Sequence, residues 1–271
     1  MKGAGAFNPK FSQYKLINAG VANIYSDATF LSSVVTQGIL GESVEVIAQQ
    51  DDWLRIRQWD DYEGWIYHFS VTESPADWDP DYTYSGAIGW IYREPSLTSA
   101  PVRQICAGVR LPGSPVQGDW LEVRLPDGVR GYLPAPPAAT GGGTLREAIP
   151  ATAERFLGVS YVWGGKTGFG FDCSGFVQTV FWLNGESLPR DAWQQAEQAH
   201  RLTGRRELQP GDLVFFTTGE RINHVGIAYD PDRFIHCSGR VRISSFDASA
   251  PEYDHRLAGL FRGAGRVIQD C

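Results

Sequence analysis

Cys173 stands in the string Phe171-Asp172-Cys173-Ser174-Gly175-Phe176, directly after the loop-like Gly168-Phe169-Gly170. Apolar periodicity begins only after that loop, so the sulfur is expected at the N-terminus of a helix. There, unpaired N–H groups and the helix dipole favour a thiolate, and Asp172 is the natural N-cap. The competing reading of a single cysteine is a buried, inert thiol. Two histidines bear on the choice. His224 opens an apolar strand-like run, Asp230-Pro231-Asp232-Arg233 is a turn signal, and His236 follows in a second run. Paired as a hairpin, residues whose numbers add to about 460–464 become cross-strand neighbours, a condition that His224 and His236 meet; an even register puts both on one face. A cysteine, an imidazole base and a third polar group that orients the base form a set for nucleophilic hydrolysis through a thioester. As metal ligands the same three would need a fourth, and none is evident. No Cys-x-x-Cys pair occurs either, so neither a metal nor a cofactor is expected.

The elements that must hold these residues are legible in outline. Leu145 to Leu157 carries apolar residues at helical spacing, and Phe176, Val177, Val180, Phe181 and Leu183 continue a helix from Cys173. A short third helix is expected over Gln194 to Leu202. Strands are expected at 212–216, 224–229, 234–238 and 240–243. Helices followed by an antiparallel meander make an α+β domain over residues 145–271. The Pro-rich then Gly-rich run from Pro134 to Thr144 reads as a linker before it. Ahead of that linker a pattern occurs twice: Asp52-Trp53-Leu54-Arg55-Ile56-Arg57 with Gly64-Trp65-Ile66, and Asp119-Trp120-Leu121-Glu122-Val123-Arg124 with Gly131-Tyr132-Leu133. Alternating apolar and polar residues with Gly/Asp turns give short half-buried strands, which need closure into small β-barrels. The barrels are expected over residues 12–75 and 82–136, split by the Pro/Asp-rich stretch Ser74 to Asp81.

These motifs carry a resemblance. The repeated Trp-Leu-x-(Val/Ile) pattern resembles bacterial SH3-like domains. Tyr161-Val162-Trp163-Gly164-Gly165, Asp172-Cys173-Ser174-Gly175-Phe176, Leu188-Pro189-Arg190-Asp191, Pro210-Gly211-Asp212, His224-Val225-Gly226-Ile227 and Phe234-Ile235-His236 resemble the NlpC-type family of papain-like cell-wall cysteine peptidases. With two SH3-like domains in front, the chain is similar to the γ-D-glutamyl-L-diamino acid endopeptidases, or dipeptidyl-peptidases VI. That likeness implies release of L-Ala-γ-D-Glu from murein peptides with a free N-terminal L-Ala. It makes Cys173 the nucleophile, His224 the base, His236 its orienter and Tyr161 a donor to the oxyanion. It implies that Asp172 and Ser174 bind the dipeptide, Asp172 through its ammonium, and that Tyr62 of the first barrel closes the cleft, with Asp60, Asp61 and Glu63 as nearby acceptors. Two departures stand out. The hydroxyl residue that relatives often carry after Arg190-Asp191 is Ala192 here, and the acidic side chain that some carry early in the first barrel is replaced by Ser32-Ser33-Val34.

Composition narrows the partners. A formal net charge of −7 over 271 residues argues against nucleic acid. No run approaches the ~20 apolar residues of a membrane span, and the first residues lack the apolar stretch of a secretory leader. A cytoplasmic monomer acting on a peptide is therefore expected, with no membrane partner. Four scattered cysteines form no disulfide framework. Two other readings compete: an exported hydrolase acting on intact peptidoglycan, and an inert peptidoglycan-binding protein.

Overall fold

The computed structural model describes residues 13–116, 118–135 and 143–268. The start of the chain, most of the Pro/Gly linker and Cys271 lie outside the described residues. The chain divides into two compact units, residues 1–140 and 141–271.

Among the described residues the first unit holds two larger antiparallel sheets and a two-stranded one that pairs 82–83 with 110–111. The first sheet runs through 34–39, 21–25, 63–67, 53–57, 43–50, 14–17 and 71–73 in spatial order; the second through 101–106, 88–92, 130–134, 120–124 and 113–116. The repeated glycines explain themselves. Gly64 pairs with Ile56 and Gly131 with Val123. A Cβ at Gly64 would fall 2.4 Å from Ile24, and one at Gly131 2.4 Å from Ile91, so each barrel core closes over a missing side chain. The cores are aliphatic: Ile17, Ile24, Val44, Leu54, Ile56 and Ile66 in the first, Ile91, Ile105, Val109, Val123 and Leu133 in the second. The barrels are not beads on a string. Leu40 from the first packs in the core of the second, and Arg103 donates both to the Asn18 carbonyl and to Asp127. The Pro/Asp-rich stretch between them is likewise ordered: Trp78 packs on the second core, and Arg124 stacks on it while pairing with Asp77.

The second unit is α+β. Its helices are α1 (Leu145–Glu154), α2 (Cys173–Leu183), α3 (Ala192–Gln198) and α4 (His255–Leu260). One six-stranded sheet contains β1 (His200–Arg201), β2 (Leu213–Phe216), β3 (His224–Ala228), β4 (Arg233–Ser238), β5 (Arg240–Ser245) and β6 (Phe261–Arg266), in the order β1-β6-β2-β3-β4-β5. α1 is shorter than its periodicity suggests. It starts with a Thr144/Glu147 capping box and stops at Glu154, and Phe156 and Leu157 fall in the following turn. α3 also differs from expectation: an Asp191/Gln194 capping box starts it early, and it ends at Gln198 because the chain turns out to pair His200 with Arg266 on β6. α2 is buried on every side from Cys173 to Phe181, which marks it as a central helix rather than an amphipathic surface one. Its polar members are satisfied: Gln178 donates to the Leu188 carbonyl and Thr179 to that of Lys166. Phe156, Phe171 and Phe176 meet edge to face around its first turn. A second cluster containing Val214, Phe216, Phe234, Phe246 and Leu257 supports the sheet. Asp212, fully buried before β2, is held by Arg266 and Arg146.

Candidate active site

Cys173 is the first residue of α2 and is 8% exposed. Asp172 caps the helix as expected, in extended conformation, its Oδ1 accepting the Gly175 N–H at 2.7 Å. The same carboxylate is gripped by Arg190, whose Nη1 lies 3.0 Å from Oδ1 while Nη2 donates to Oδ2. That guanidinium, 1% exposed, also donates to Ser174 Oγ at 3.1 Å. Gln195 of α3 ties the Ser174 and Pro189 carbonyls together. The Leu-Pro-Arg-Asp segment is thus bolted to the first turn of α2 through a buried, bidentate ion pair.

The thiol touches the chain on both sides of His224: Sγ donates to the Asn223 carbonyl at 3.9 Å, and the Val225 N–H is directed at the sulfur. β3 and β4 pair with Gly226 opposite His236, Ile227 opposite Ile235 and Ala228 opposite Phe234. The register is even, so His224 and His236 share a face as diagonal neighbours. Gly226 stands between them with no side chain; a Cβ there would fall 3.1 Å from the His236 Cβ. The rings meet edge to face, with His224 Nε2 2.8 Å from His236 Nδ1. His236 is fully buried, and its Nε2 lies 3.0 Å from Ser244 Oγ. Arg242 donates to the same hydroxyl at 2.7 Å and pairs with Asp254. With Nε2 of His224 committed to His236, Nδ1 is the nitrogen left for the thiol.

Burial sets the protonation. It pushes the Cys173 thiol up to about 12, with the Asp172 charge adding to the rise, and it pulls His224 down to about 4, helped by the charges of Arg256 and Arg242. His236 is lowered further in direction by burial and by His224. Tyr161, beside the site, is raised mainly by burial and stays a phenol donor. The resting pair is therefore a neutral thiol and a neutral imidazole. The thiolate expected from the helix dipole is not the ground state, because desolvation opposes it. A cavity of about 290 Å³ opens beside the imidazole, lined by Tyr161, Phe216, Asn223, His224, Cys237 and Arg256 among others. Among the described residues no cluster has the makings of a metal site.

Comparison with known proteins agrees with this geometry. Residues 158–259 match the NlpC/P60 family and residues 20–72 match the bacterial SH3 domain. A γ-D-glutamyl-L-lysine dipeptidyl-peptidase of Bacillus subtilis is 30% identical over 75% of this chain and 72% of its own. The chain belongs to the NlpC/P60 family. Dipeptidyl-peptidase 6 of Lysinibacillus sphaericus is 27% identical over 93% of this chain and 99% of its own. The crystal structure of an NlpC/P60 family protein from Bacillus cereus shares the fold at a TM-score of 0.80 and 22% identity, covering 93% of this chain and 99% of that one. The protein is a cysteine peptidase of this family.

The structure brings Cys173, His224, His236 and Tyr161 of the peptidase together. It gives Asp172 and Ser174 other work. Both are buried, and both oxygens of Asp172 are engaged by Arg190, so the carboxylate holds the helix end. Ala192 is buried at the start of α3. Tyr62 belongs to the first unit, where its N–H donates to Asp60 Oδ1 in a turn that carries Asp61 at φ 60°. Glu63 is paired with Arg55 and Arg57, and so is not available as an acceptor. Sequence reasoning missed Ser244, Arg242 and Asp254. Their only signal was that an even register places Arg242 opposite His236 on the next strand.

Proposed function

We propose that this peptidase hydrolyses the γ-D-Glu–diamino acid bond of murein peptides with a free N-terminal L-Ala, releasing L-Ala-γ-D-Glu, as a monomer in the cytoplasm. The observation that carries the chemistry is the hydrogen-bonded chain from His224 through His236 to Ser244, with the Cys173 thiol against the carbonyl of Asn223, the residue before His224. The substrate is supported by likeness to the dipeptidyl-peptidases over most of their length, together with the SH3 match ahead of the peptidase.

The geometry accounts for the proton traffic. His224 can act as a base toward the thiol only if Nδ1 carries a lone pair. This requires Nε2–H of His224 to donate to His236 Nδ1, and Nε2–H of His236 to donate to Ser244 Oγ. Ser244 then accepts from both His236 and Arg242. As the sulfur attacks the γ-carbonyl, His224 takes its proton, so thiolate character is created at the moment of reaction. The oxyanion is met by the Cys173 N–H at the helix end and by the Tyr161 hydroxyl. His224 returns the proton to the leaving amine, and the thioester is hydrolysed with the same imidazole activating water.

Mass spectrometry of products from L-Ala-γ-D-Glu-L-Lys and its N-acetylated counterpart tests this. Release of L-Ala-γ-D-Glu from the first and little from the second is expected. Equal cleavage of both removes the requirement for a free amine, and digestion of intact sacculus would favour a wall hydrolase instead.

A further inference from the structure

The cavity beside His224 is lined almost wholly by neutral groups. Arg256, at the start of α4, is its one permanently charged side chain. Among the described residues this guanidinium has no hydrogen-bond or ion-pair partner. Asp254 feels the Arg256 charge but makes its hydrogen bonds elsewhere: Oδ2 accepts from Arg242 at 2.7 Å and Oδ1 from the Leu257 N–H at 2.9 Å. Arg242, the other cation of the neighbourhood, is consumed by Asp254 and Ser244.

Which part of the substrate enters this cavity follows from the reaction. The imidazole that removes the thiol proton must deliver it to the departing nitrogen, so the leaving residue lies on the imidazole side of the sulfur. The cavity borders that imidazole: His224 lines it, together with Tyr161 and Arg256. Its volume of about 290 Å³ suits a residue rather than a polymer. A lone, unpaired guanidinium in a neutral concavity selects for an anion, and its planar fork suits a carboxylate.

We infer that Arg256 is a specificity-determining residue that binds a carboxylate of the leaving diamino acid. The inference rests on the proposed cleavage before that residue. Two carboxylates have this chemistry: the α-carboxylate, free when the substrate ends there, and the second carboxylate that diaminopimelate has and lysine lacks. Arg256 is exposed, so the effect expected is modest and falls with salt.

The test uses the full chain and three peptides: L-Ala-γ-D-Glu-L-Lys, the same peptide as its C-terminal amide, and the meso-diaminopimelate peptide amidated at the α-carboxyl. For the unaltered protein, amidation of the lysine peptide is expected to raise KM about fivefold with kcat little changed, the signature of lost uniform binding. Arg256→Ala should treat acid and amide alike, Arg256→Lys should keep part of the preference, and Arg256→Glu should reverse it. Good use of the amidated diaminopimelate peptide, lost in Arg256→Ala, would assign the contact to the side-chain carboxylate instead. The inference is overturned if the unaltered protein uses the lysine acid, its amide and the amidated diaminopimelate peptide equally well, or if Arg256→Ala keeps whatever preference the unaltered protein shows. Cleavage of the N-terminal dipeptide in all of these would leave the proposed function standing; cleavage of none removes both.

Discussion

The two walls of the active site are built on opposite electrostatic plans. The helix wall is a closed ionic joint: Asp172 and Arg190 neutralise each other in the interior and lock Ser174 and the first turn of α2. The sheet wall is a string of neutral groups, His224, His236 and Ser244, with Arg242 and Arg256 at its edges. The first arrangement fixes position. The second keeps a base unprotonated and correctly tautomerised. A reaction that creates a thiolate only during attack needs both, because neither burial nor the helix dipole alone supplies a ready nucleophile.

The largest effect separates chemistry from architecture. Cys173→Ala should lower turnover by about 10⁴-fold or more, as removal of a nucleophile does elsewhere, while thermal unfolding moves little, since a small buried side chain is replaced by a slightly smaller one. Retained hydrolysis would mean that the thiol is not the nucleophile and would break the comparison at its root.

The helix wall should show the reverse pattern. Arg190→Met strands the Asp172 carboxylate in the interior, which costs about 3–5 kcal/mol for a broken buried pair. The double change Asp172→Asn with Arg190→Met should recover a good part of that, because the uncompensated charge is gone. Denaturant unfolding of Arg190→Met, Asp172→Asn and the double variant measures both effects. Additive losses would show that the pair is not the joint described here.

Much of this was legible in the sequence, for a physical reason. The helix wall is written in one contiguous stretch: a loop, a capping aspartate and an apolar run. The turn between the two histidine strands brought the imidazoles near each other across the ladder, while the even register that puts them on one face is a finding of the structure. What escaped lies where a function depends on tertiary neighbours. Ser244 sits on a strand with nothing unusual around it, and only its 3.0 Å approach to His236 gives it meaning. Arg190 looked like one residue of a motif, yet its burial decides what Asp172 does. The thiolate was expected because a helix end is visible in sequence, whereas the desolvation that overrides it is not. The Pro/Asp-rich stretch read as a break, but Trp78 anchors it to a core that the sequence does not reveal.

Acidity should act on the sheet wall next. His224 is held neutral down to about 4 when folded, against about 6.5 when unfolded. The unfolded chain therefore binds the proton first as pH falls. Stability is full above about 6.5 and is lost between there and about 4, by on the order of 3 kcal/mol from this residue, with His236 acting in the same direction. At the alkaline end Cys173 works the opposite way. Its folded value of about 12 exceeds the unfolded 9.0, so stability declines as pH rises above about 9. Unfolding free energies measured from pH 4 to 10 should thus form a plateau between the two limits. Iodoacetamide should label Cys173 slowly at pH 7 and faster in alkali; rapid labelling at pH 6 would mean that a resting thiolate is present after all.

Ser244 offers the finest test of the relay. If its hydroxyl only fills space, Ser244→Ala should alter stability slightly and leave the pH profile unchanged. If it fixes the tautomer, removing the oxygen leaves His236 Nε2–H unsatisfied, and His236 can present a hydrogen at Nδ1 instead. His224 would then carry its own hydrogen on the nitrogen that faces the thiol, and the base would be blocked in part of the population. The expected result is a fall in kcat of about tenfold, about 1.4 kcal/mol, with KM little changed because no substrate contact is lost. Ser244→Thr, which keeps the hydroxyl, should restore most of the rate. Equal rates in Ser244→Ala and Ser244→Thr with an unchanged pH profile would reduce Ser244 to packing, and the sheet wall would then orient its base through His236 alone.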